Sequence, residues 1–406
     1  MLSVADALAQ VLQQSHPLPS ISLAVSHALG MVLAEAVARD IDSPPFAKAL
    51  MDGYAVRADD VVAGKAELEI VEEVMAGQVP TQTVLTGQAI RIMTGAPLPQ
   101  GADAVVMVEH TKHLNGAGLG RVQVETADLI AGKNWMPQGE SMRTGEVVLP
   151  AGSEVRPVDV GLLAEVGRVE VQVVRRPRVA ILPTGDEVVE PSERPKMGQI
   201  RNSNGPMMQA CVMRCGATPV PLGVGRDQRE ELRRLMAQGL AEDVLILNGG
   251  VSAGVRDLVP EVLAELGVQA LFHHVRLKPG KPLLFGICPR EGQTPTLVFG
   301  LPGNPVSSLV CFELFVRPAL RRMLGFPPAG PPFQPARLAA THTHRGDRPT
   351  YHPSHLQLTA TGWEFTPVDW RGSPDLRGVC RSNALAQFPA GDYTLNAGDV
   401  VSVLPL

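Results

Sequence analysis

The stretch FGLPGNPVSSLVCFELFVRPALRRMLG, residues 299–325, predicts a strand, a rigid turn and a helix. Asn304 can cap the helix, and Pro305 suits its first turn, where a backbone N–H would have no partner. Pro318 should kink or split the helix that follows. Because a helix N-terminus exposes unpaired N–H groups, the turn can bind an anion, or it can be a tight connection only.

The composition of the chain is that of a globular protein. It has 406 residues, of which 45% are hydrophobic and 19% charged, enough for about two to four domains. Aromatic residues make up 4% and the net charge is -5, so nucleic acid is not expected as a partner. The sequence shows no signal peptide and no apolar run long enough to cross a membrane. Its five cysteines are scattered and odd in number, which is typical of reduced thiols. Together these features indicate the cytoplasm.

Patterns along the chain predict several domains. Residues 1–39 carry helical patterns around a Pro-containing break, and residues 66–149 carry short β-like runs separated by Gly-rich turns. From Arg178 onward, apolar strands alternate with helices, which predicts a parallel sheet covered on both faces. Residues 335–406 are again β-like and predict a small barrel or sandwich.

Polar loops follow the strands of the predicted parallel sheet. Ligands of such sheets bind beyond the carboxyl ends of the strands. A single acidic residue there is usually a helix cap, but three acidic, Gly-rich loops favour a phosphate site with a divalent cation. The loops are PTGDEV (183–188), GVGRDQ (223–228), NGGVSAGVRD (248–257) and GLPGNPVSS (300–308).

The segment VRLKPGKPLLFG, residues 275–286, supplies positive charge. Lys278 and Lys281 flank a Pro-Gly turn that directs two ammonium groups into a small volume. An anion site and a solvated turn are both compatible with this pattern.

Six segments in this order resemble the molybdopterin molybdenumtransferase family, which includes bacterial MoeA and the E domain of gephyrin. They extend over most of the chain. The segments are SPPFAKALMDGYAVR (43–57), RIMTGAPLPQGADAVVMVE (91–109), LPTGDEV (182–188), NGGVSAGVRD (248–257), RLKPGKPLLFG (276–286) and GLPGNPVSSLVCFELFVRPAL (300–320).

The resemblance implies a fold and an activity. The family inserts molybdenum from molybdate into adenylylated molybdopterin and releases AMP, using Mg²⁺ and a homodimer whose active cleft is shared between subunits. The adenylyltransferase of the same pathway is the implied further partner. The implied domains are an elongated N-terminal domain (1–41 and 146–177), a β-rich inserted domain (42–145), a doubly wound, MogA-like α/β domain (178–326) and a C-terminal β-barrel (327–406).

The resemblance also assigns site residues. Asp227 and Asp257 match the metal ligands of the family, and Arg348 and Ser373 resemble residues that hold molybdate. The residues matching catalytic positions are Asp52, Thr94, Glu187, Asp257, Lys278 and Lys281. Those expected to bind the substrates are Gly249, Gly250, Ser252, Pro302, Gly303, Pro305, Arg348 and Ser373.

Two features depart from the family or fall outside its motifs. Ser141 stands where the family commonly has an aspartate, and NWMPQG (134–139) replaces a segment with an arginine.

The segment THTHRGDRPTYHPSH, residues 341–355, contains four histidines. Alternate residues of a strand share a face, so this segment is compatible with a solvated strand pair or with a zinc site. These histidines are His342, His344, His352 and His355.

Two other functions are compatible with the resemblance. The gephyrin E domain also serves as a homodimeric scaffold, and a molybdopterin adenylyltransferase shares the α/β domain. A scaffold has no need for charged residues in a pocket, because their burial is costly. The residues concerned are Asp52, Glu187, Asp227, Asp257, Lys278 and Lys281. The adenylyltransferase resembles residues 178–325 only, so the flanking domains favour the molybdenumtransferase.

Overall fold

A computed structural model describes residues 1–115, 118–127, 129–250 and 258–406. These residues form two compact units. The large unit consists of Met1–Glu35, Ala151–Pro157 and Glu170–Leu406, and the small unit consists of Ala36–Pro150 and Val158–Val169. The domain boundaries predicted above stay a prediction.

A six-stranded sheet forms the centre of the large unit. Its strands, in spatial order, are Thr218–Pro221, Arg178–Pro183, Val244–Asn248, Gln293–Leu301, Pro282–Arg290 and Gln269–His274. The first four are parallel. The last two strands are antiparallel to their neighbours, so the prediction of a parallel sheet was wrong at this edge. Arg290 pairs with Gln293 across a two-residue turn, and a turn this short joins only antiparallel strands.

Helices cover both faces of this sheet. Val179 and Ile181 pack into one hydrophobic core, whereas Ala180 and Leu182 of the same strand pack into another. Since side chains alternate across a strand, the sheet is buried on both sides, and the predicted doubly wound α/β domain is confirmed. Its helices are Asn204–Arg214, Arg229–Leu240, Leu258–Glu265, Pro305–Cys311 and Arg317–Met323.

Pro318 interrupts the last helix, as predicted. A π-helical turn, Phe312–Val316, separates Pro305–Cys311 from Arg317–Met323. Proline lacks the N–H that an α-helix would use here and its ring clashes with the preceding turn. Glu313 in this turn is fully buried and pairs with Arg214 and, at 2.8 Å, with Arg317.

The C-terminal residues form a closed five-stranded barrel around Phe365 and Phe388. A barrel, rather than a sandwich, is therefore the correct alternative. The strands are Gln334–Leu338, Gly362–Pro367, Thr350–Thr359, Ala384–Phe388 and Val400–Pro405. Beside it, His342–His344 pairs with Tyr393–Leu395, and the helix Leu376–Val379 lies between barrel strands in the sequence.

The N-terminal segment holds one α-helix, Val4–Gln14, capped by the hydroxyl of Ser3. The helical pattern predicted after the Pro-containing break was wrong. Residues Ser20–Ala24 instead form a strand that pairs antiparallel with Glu170–Val174, so a distant partner overrides the local pattern. The predicted short helix before that partner strand is Pro157–Glu165.

The small unit is β-rich, as predicted. Its main sheet has six strands. Considered over all described residues, the structure has no helix that is long and apolar enough to span a membrane. The sheet order is Ala104–Met107, Gly53–Val56, Gln88–Ile92, Lys65–Val74, Arg121–Glu125 and Thr111–Leu114. Two short pairs complete it: Lys48–Ala49 with Trp135–Met136, and Val37–Ala38 with Val147–Leu149.

Candidate functional site

The loops that follow the parallel strands meet at one edge of the sheet. Thr184 N–H donates to the carbonyl of Asn248 (2.9 Å), and Gly185 N–H donates to the carbonyl of Gly225 (3.1 Å). Gly249 N–H donates to the carbonyl of Leu301 at 3.1 Å. Backbone hydrogen bonds therefore connect all four predicted ligand loops, as expected for the carboxyl edge of a parallel sheet.

A cleft of about 750 Å³ lies between the α/β domain and the barrel within the large unit. We call it the basic cleft. Five residues predicted to bind anions line it: Lys278, Lys281, Pro302, Arg348 and Ser373. The structure thus brings together residues that are almost a hundred positions apart in the sequence.

Main-chain contacts hold the two sides of the basic cleft in place. Lys278 N–H donates to the carbonyl of Pro349 (2.8 Å), and Tyr351 N–H donates to the carbonyl of Lys278 (2.8 Å). The guanidinium of Arg348 donates to the carbonyl of Leu277 at 3.2 Å. The lysine turn and the barrel strand are therefore joined directly, which limits the spread of the cationic groups.

A second cleft of about 550 Å³ lies at the sheet edge. This sheet-edge cleft shares Pro282, Pro302 and Asn304 with the basic cleft, so the two adjoin. The predicted residues that line it are Glu187, Gly249, Pro302, Gly303 and Pro305.

Asn304 occupies the predicted cap position of the helix Pro305–Cys311, but its side chain makes no capping hydrogen bond. It instead lines both clefts. The residue therefore marks the helix start in the sequence while its amide is available at the junction of the clefts.

Two glycines at the sheet edge meet strict steric limits. Gly249 has φ +98°, and a Cβ there would lie 2.7 Å from the carbonyl oxygen of Thr184. Gly250 has φ +62°, and its Cβ would lie 2.7 Å from Cγ2 of Val259. Only glycine fits such positions without a shift of the backbone. Ser252 and Asp257, predicted from the same motif, lie outside the described residues.

Carboxylates cluster after the first two strands. Asp227 N–H donates to Oδ1 of Asp186 at 3.1 Å, so the two acidic loops are in contact. Glu187 folds back over Gly185, where a Cβ would lie 2.5 Å from Oε2 of Glu187. Within the described ranges no three His, Cys, Asp or Glu side chains come together as a metal site. The oxygen ligands of Asp186 and Asp227 are nevertheless the kind that Mg²⁺ binds.

Asp52 and Thr94 contact each other in the small unit. Oδ1 of Asp52 accepts hydrogen bonds from the backbone N–H (2.7 Å) and the hydroxyl (2.6 Å) of Thr94. These hydrogen bonds lower the pKa of Asp52, because they stabilise the carboxylate form. Both motifs therefore contribute to one oriented, ionised carboxylate.

Sequence reasoning missed several polar residues of the sheet-edge cleft, among them Asn204 and Asn248. Nδ2 of Asn204 donates to the carbonyl of Gly303 (2.7 Å), and Nδ2 of Asn248 donates to Oγ of Ser308 (3.1 Å). Ser308 in turn donates to the carbonyl of Pro302 at 2.5 Å. These bonds fix both amide orientations. In the described part of the chain, the Oδ1 atoms of both asparagines are buried without a hydrogen-bond partner.

Three of the four C-terminal histidines are packed against other rings rather than solvated. Of the four, His342, His344 and His352 line the basic cleft, whereas His355 is exposed. His344 is only 5% exposed, so the expectation of a solvated strand pair was wrong. The zinc alternative has no support either, because no metal-binding group of three side chains occurs among the described residues.

Burial of His352 predicts a pH effect on stability. Desolvation lowers the pKa of His352 from 6.5 to about 4. The unfolded chain therefore binds a proton that the folded chain does not, and stability is lost as the pH falls from 6.5 towards 4. Between pH 7.5 and 5, we expect the free energy of unfolding to fall by about 2 kcal/mol more in the wild type than in His352→Gln. Urea unfolding of both proteins at the two pH values measures this, and parallel losses would contradict it.

Three sequence families match the chain in the same order as its folded parts. Residues 2–167 match the "MoeA N-terminal region (domain I and II)", residues 180–322 the "Probable molybdopterin binding domain", and residues 335–406 the "MoeA C-terminal region (domain IV)". The residues between these matches are 168–179, which contain the strand Glu170–Val174, and 323–334.

Similar proteins extend over the full length of the chain. A protein of Staphylococcus epidermidis named "Molybdopterin molybdenumtransferase" is 32% identical over 413 residues, covering 99% of this chain and 95% of its own length. A Staphylococcus aureus protein of the same name is 31% identical with the same coverage.

A solved structure agrees with the fold as well. The crystal structure of the molybdopterin biosynthesis MoeA protein from Pyrococcus horikoshii superimposes with a TM-score of 0.83 at 31% identity, covering 100% of this chain and 99% of that chain. The resemblance of the six sequence segments is therefore confirmed. With a full-length relative above 30% identity and matching families from end to end, the chain belongs to the MoeA family of molybdopterin molybdenumtransferases.

Proposed function

We propose that the protein is a transferase of molybdenum cofactor biosynthesis. It inserts molybdenum from molybdate into adenylylated molybdopterin and releases AMP in a Mg²⁺-dependent reaction. The observation that carries the proposal is the pair of adjoining clefts, one basic and one at the sheet edge, which share Pro302 and Asn304. The names of the full-length relatives support it.

The charge distribution supports an oxoanion in the basic cleft. The whole chain has a net charge of -5, yet four cationic side chains line this cleft: Lys278, Lys281, Arg345 and Arg348. A local cluster of this kind concentrates and binds anions despite the global charge. The buried indole N–H of Trp370, which also lines the cleft and has no partner among the described residues, is a further donor for an oxygen ligand.

The sheet-edge cleft has the complementary chemistry. The amide oxygens of Asn204 and Asn248 are buried hydrogen-bond acceptors. Neither has a donor among the described residues. An unsatisfied buried acceptor costs about 1–3 kcal/mol, which a ligand with N–H donors recovers. The amino groups of a pterin or an adenine are such donors, so this cleft suits the nucleotide-linked pterin.

Asp227, together with Asp257, would hold Mg²⁺. The neighbouring carboxylates of Asp186 and Asp227 supply the oxygen ligands that this ion requires. When bound, the ion neutralises charge on the phosphate groups of the nucleotide. The residues of the chain then position that nucleotide at the sheet edge.

We further infer a homodimer in the cytoplasm. In the arrangement that the family resemblance implies, the clefts of one subunit act with Asp52 and Thr94 of the partner subunit, and the adenylyltransferase of the pathway delivers the substrate. The full-length similarity to named transferases favours this function over a scaffold or a stand-alone adenylyltransferase.

The direct test is an assay of AMP release. Purified protein is incubated with adenylylated molybdopterin and Mg²⁺, with and without molybdate. We expect AMP to appear with molybdate and molybdenum cofactor to form with it. Absence of molybdate-dependent AMP release would reject the proposed function.

Lys281→Met should weaken the use of molybdate selectively. The change removes an ammonium group from the basic cleft but keeps most of the aliphatic stem. Because a hydrogen bond to a charged group contributes about 1.5–3 kcal/mol, the molybdate concentration for half-maximal AMP release should rise by about 10- to 100-fold. Binding of the adenylylated pterin should change little.

The exposed Lys196 provides a matched control, because Lys196→Met removes the same charge away from both clefts. It should leave both measurements unchanged. Equal losses of molybdate and pterin binding in Lys281→Met would mean that Lys281 holds the nucleotide phosphates instead.

A further inference from the structure

We propose that His342, His344 and His352 form a proton relay for the oxoanion in the basic cleft. The proposal rests on the proposed function and adds to it a source and a destination for the protons of the insertion step. None of the six sequence segments that carry the family resemblance contains these histidines.

The three imidazoles are held around one buried ring. The centroids of His342 and His344 lie 4.9 and 5.3 Å from that of Phe388, and both rings are stacked on it. His352 lies 6.0 Å from Phe388 and 5.6 Å from His342. All three line the cleft that also contains Lys278. The histidines are therefore ordered by packing next to the cationic groups.

One of these rings is fixed by a hydrogen bond, and another has a buried nitrogen without a hydrogen-bond partner among the described residues. Nδ1–H of His352 donates to the carbonyl of Pro353 at 2.8 Å, which leaves the lone pair of the neutral ring on Nε2. Nε2 of His344 is buried and has no hydrogen-bond partner among the described residues. A buried nitrogen of this kind is costly unless a ligand or a transferred proton satisfies it.

Burial, together with neighbouring positive charge at His344 and His352, favours the neutral form of the three rings. Burial lowers the pKa of all three histidines, and the positive charge of Lys278 lowers the pKa of His344 and His352 further. The other charged or titratable groups around the cluster are Lys281, Arg345 and Arg348 of the cleft, and Asp392 and Tyr393 beside His344. A bound dianion reverses this field and favours the protonated rings.

The insertion step requires proton transfers. As a dithiol replaces one oxygen of molybdate, two Mo–S bonds form and one Mo–O bond breaks. The two thiol protons move to the departing oxide, which leaves as water. Molybdenum stays hexavalent, so no oxidant or reductant is needed. In the relay, an imidazole nitrogen accepts a thiol proton and passes it to the oxide.

Glutamine substitutions at His344 and His352 test the relay. Glutamine keeps a hydrogen-bonding amide but cannot carry a proton near neutral pH. We expect the rate of molybdate-dependent AMP release at pH 7 to fall by about 100-fold in either variant. His355→Gln, a change on the same strand as His352 but away from the cleft, should match the wild type.

Calorimetry with inorganic molybdate gives an independent readout. Titrations of the whole protein in two buffers of different ionisation enthalpy report proton uptake on binding. We expect uptake in the wild type and in His355→Gln, and none in the double variant His344→Gln, His352→Gln. Unchanged rates and unchanged proton uptake in the glutamine variants would overturn the relay alone. A wild type that releases no AMP with molybdate would instead overturn the proposed function.

Discussion

The substitution Gly53→Ala is expected to lower the free energy of unfolding of the small unit more than a methyl group added at any other glycine of its motifs. A Cβ at Gly53 would lie 1.8 Å from the carbonyl oxygen of Val106, which is backbone of the neighbouring strand. No side-chain rotation relieves this contact, so strands Gly53–Val56 and Ala104–Met107 must separate. We expect the free energy of unfolding of this unit to fall by about 3 kcal/mol or more.

The chain offers a reporter and a matched control for this experiment. Trp135 belongs to the small unit, whereas Trp363 and Trp370 belong to the large unit. With the latter two replaced by phenylalanine, Trp135 fluorescence reports urea unfolding of the small unit. Gly161→Ala adds the same methyl group to the exposed side of the helix Pro157–Glu165, where nothing lies within 4 Å. It should stabilise the unit by about 0.5–1 kcal/mol.

This prediction gives a physical reason for the segment MDGYA. Asp52, directly before Gly53, accepts two hydrogen bonds from Thr94, and the close strand contact at Gly53 sets the position from which that carboxylate projects. If Gly53→Ala had the same free energy of unfolding as the wild type, the glycine would be required only for the turn and not for the close contact between the strands.

The α/β domain could be predicted because its local signals agree. Apolar strands such as Val244–Asn248 are buried on both faces, and the helices between them have amphipathic patterns. The antiparallel edge, formed by Gln269–His274 and Pro282–Arg290, was missed because the residues of a strand do not show the direction in which it runs. The strand Ser20–Ala24 was missed since its partner, Glu170–Val174, is far away in the sequence.

The site residues could be predicted only where a short segment of the sequence already indicates their chemistry. Lys278 and Lys281 flank a rigid turn, and their joint presence in the basic cleft follows from that geometry. The histidines were misjudged because their surroundings come from a distant part of the sequence: Phe388 lies on the barrel strand Ala384–Phe388. Asn304 was expected as a cap, but local sequence cannot tell whether an amide faces a helix end or a cleft.

Mixing two inactive variants should restore activity if the active cleft is shared between subunits. Asp52→Ala removes the carboxylate of the small unit, and the double variant Lys278→Met, Lys281→Met removes both ammonium groups of the basic cleft. The main-chain hydrogen bonds of Lys278 do not depend on its side chain, so the fold should survive. Each protein alone should lack molybdate-dependent AMP release, because every site in its homodimer carries a defect.

After the two variants are unfolded, mixed in equal amounts and reassociated, random pairing yields about half heterodimers. In a heterodimer with shared sites, one site receives both defects and the other receives none. Since one of two sites is intact in about half of the dimers, about a quarter of wild-type activity should return. If each site were built within one chain, every site in the mixture would still lack a carboxylate or the lysine pair. Heterodimers detected by mass spectrometry that remain inactive would therefore contradict the shared cleft.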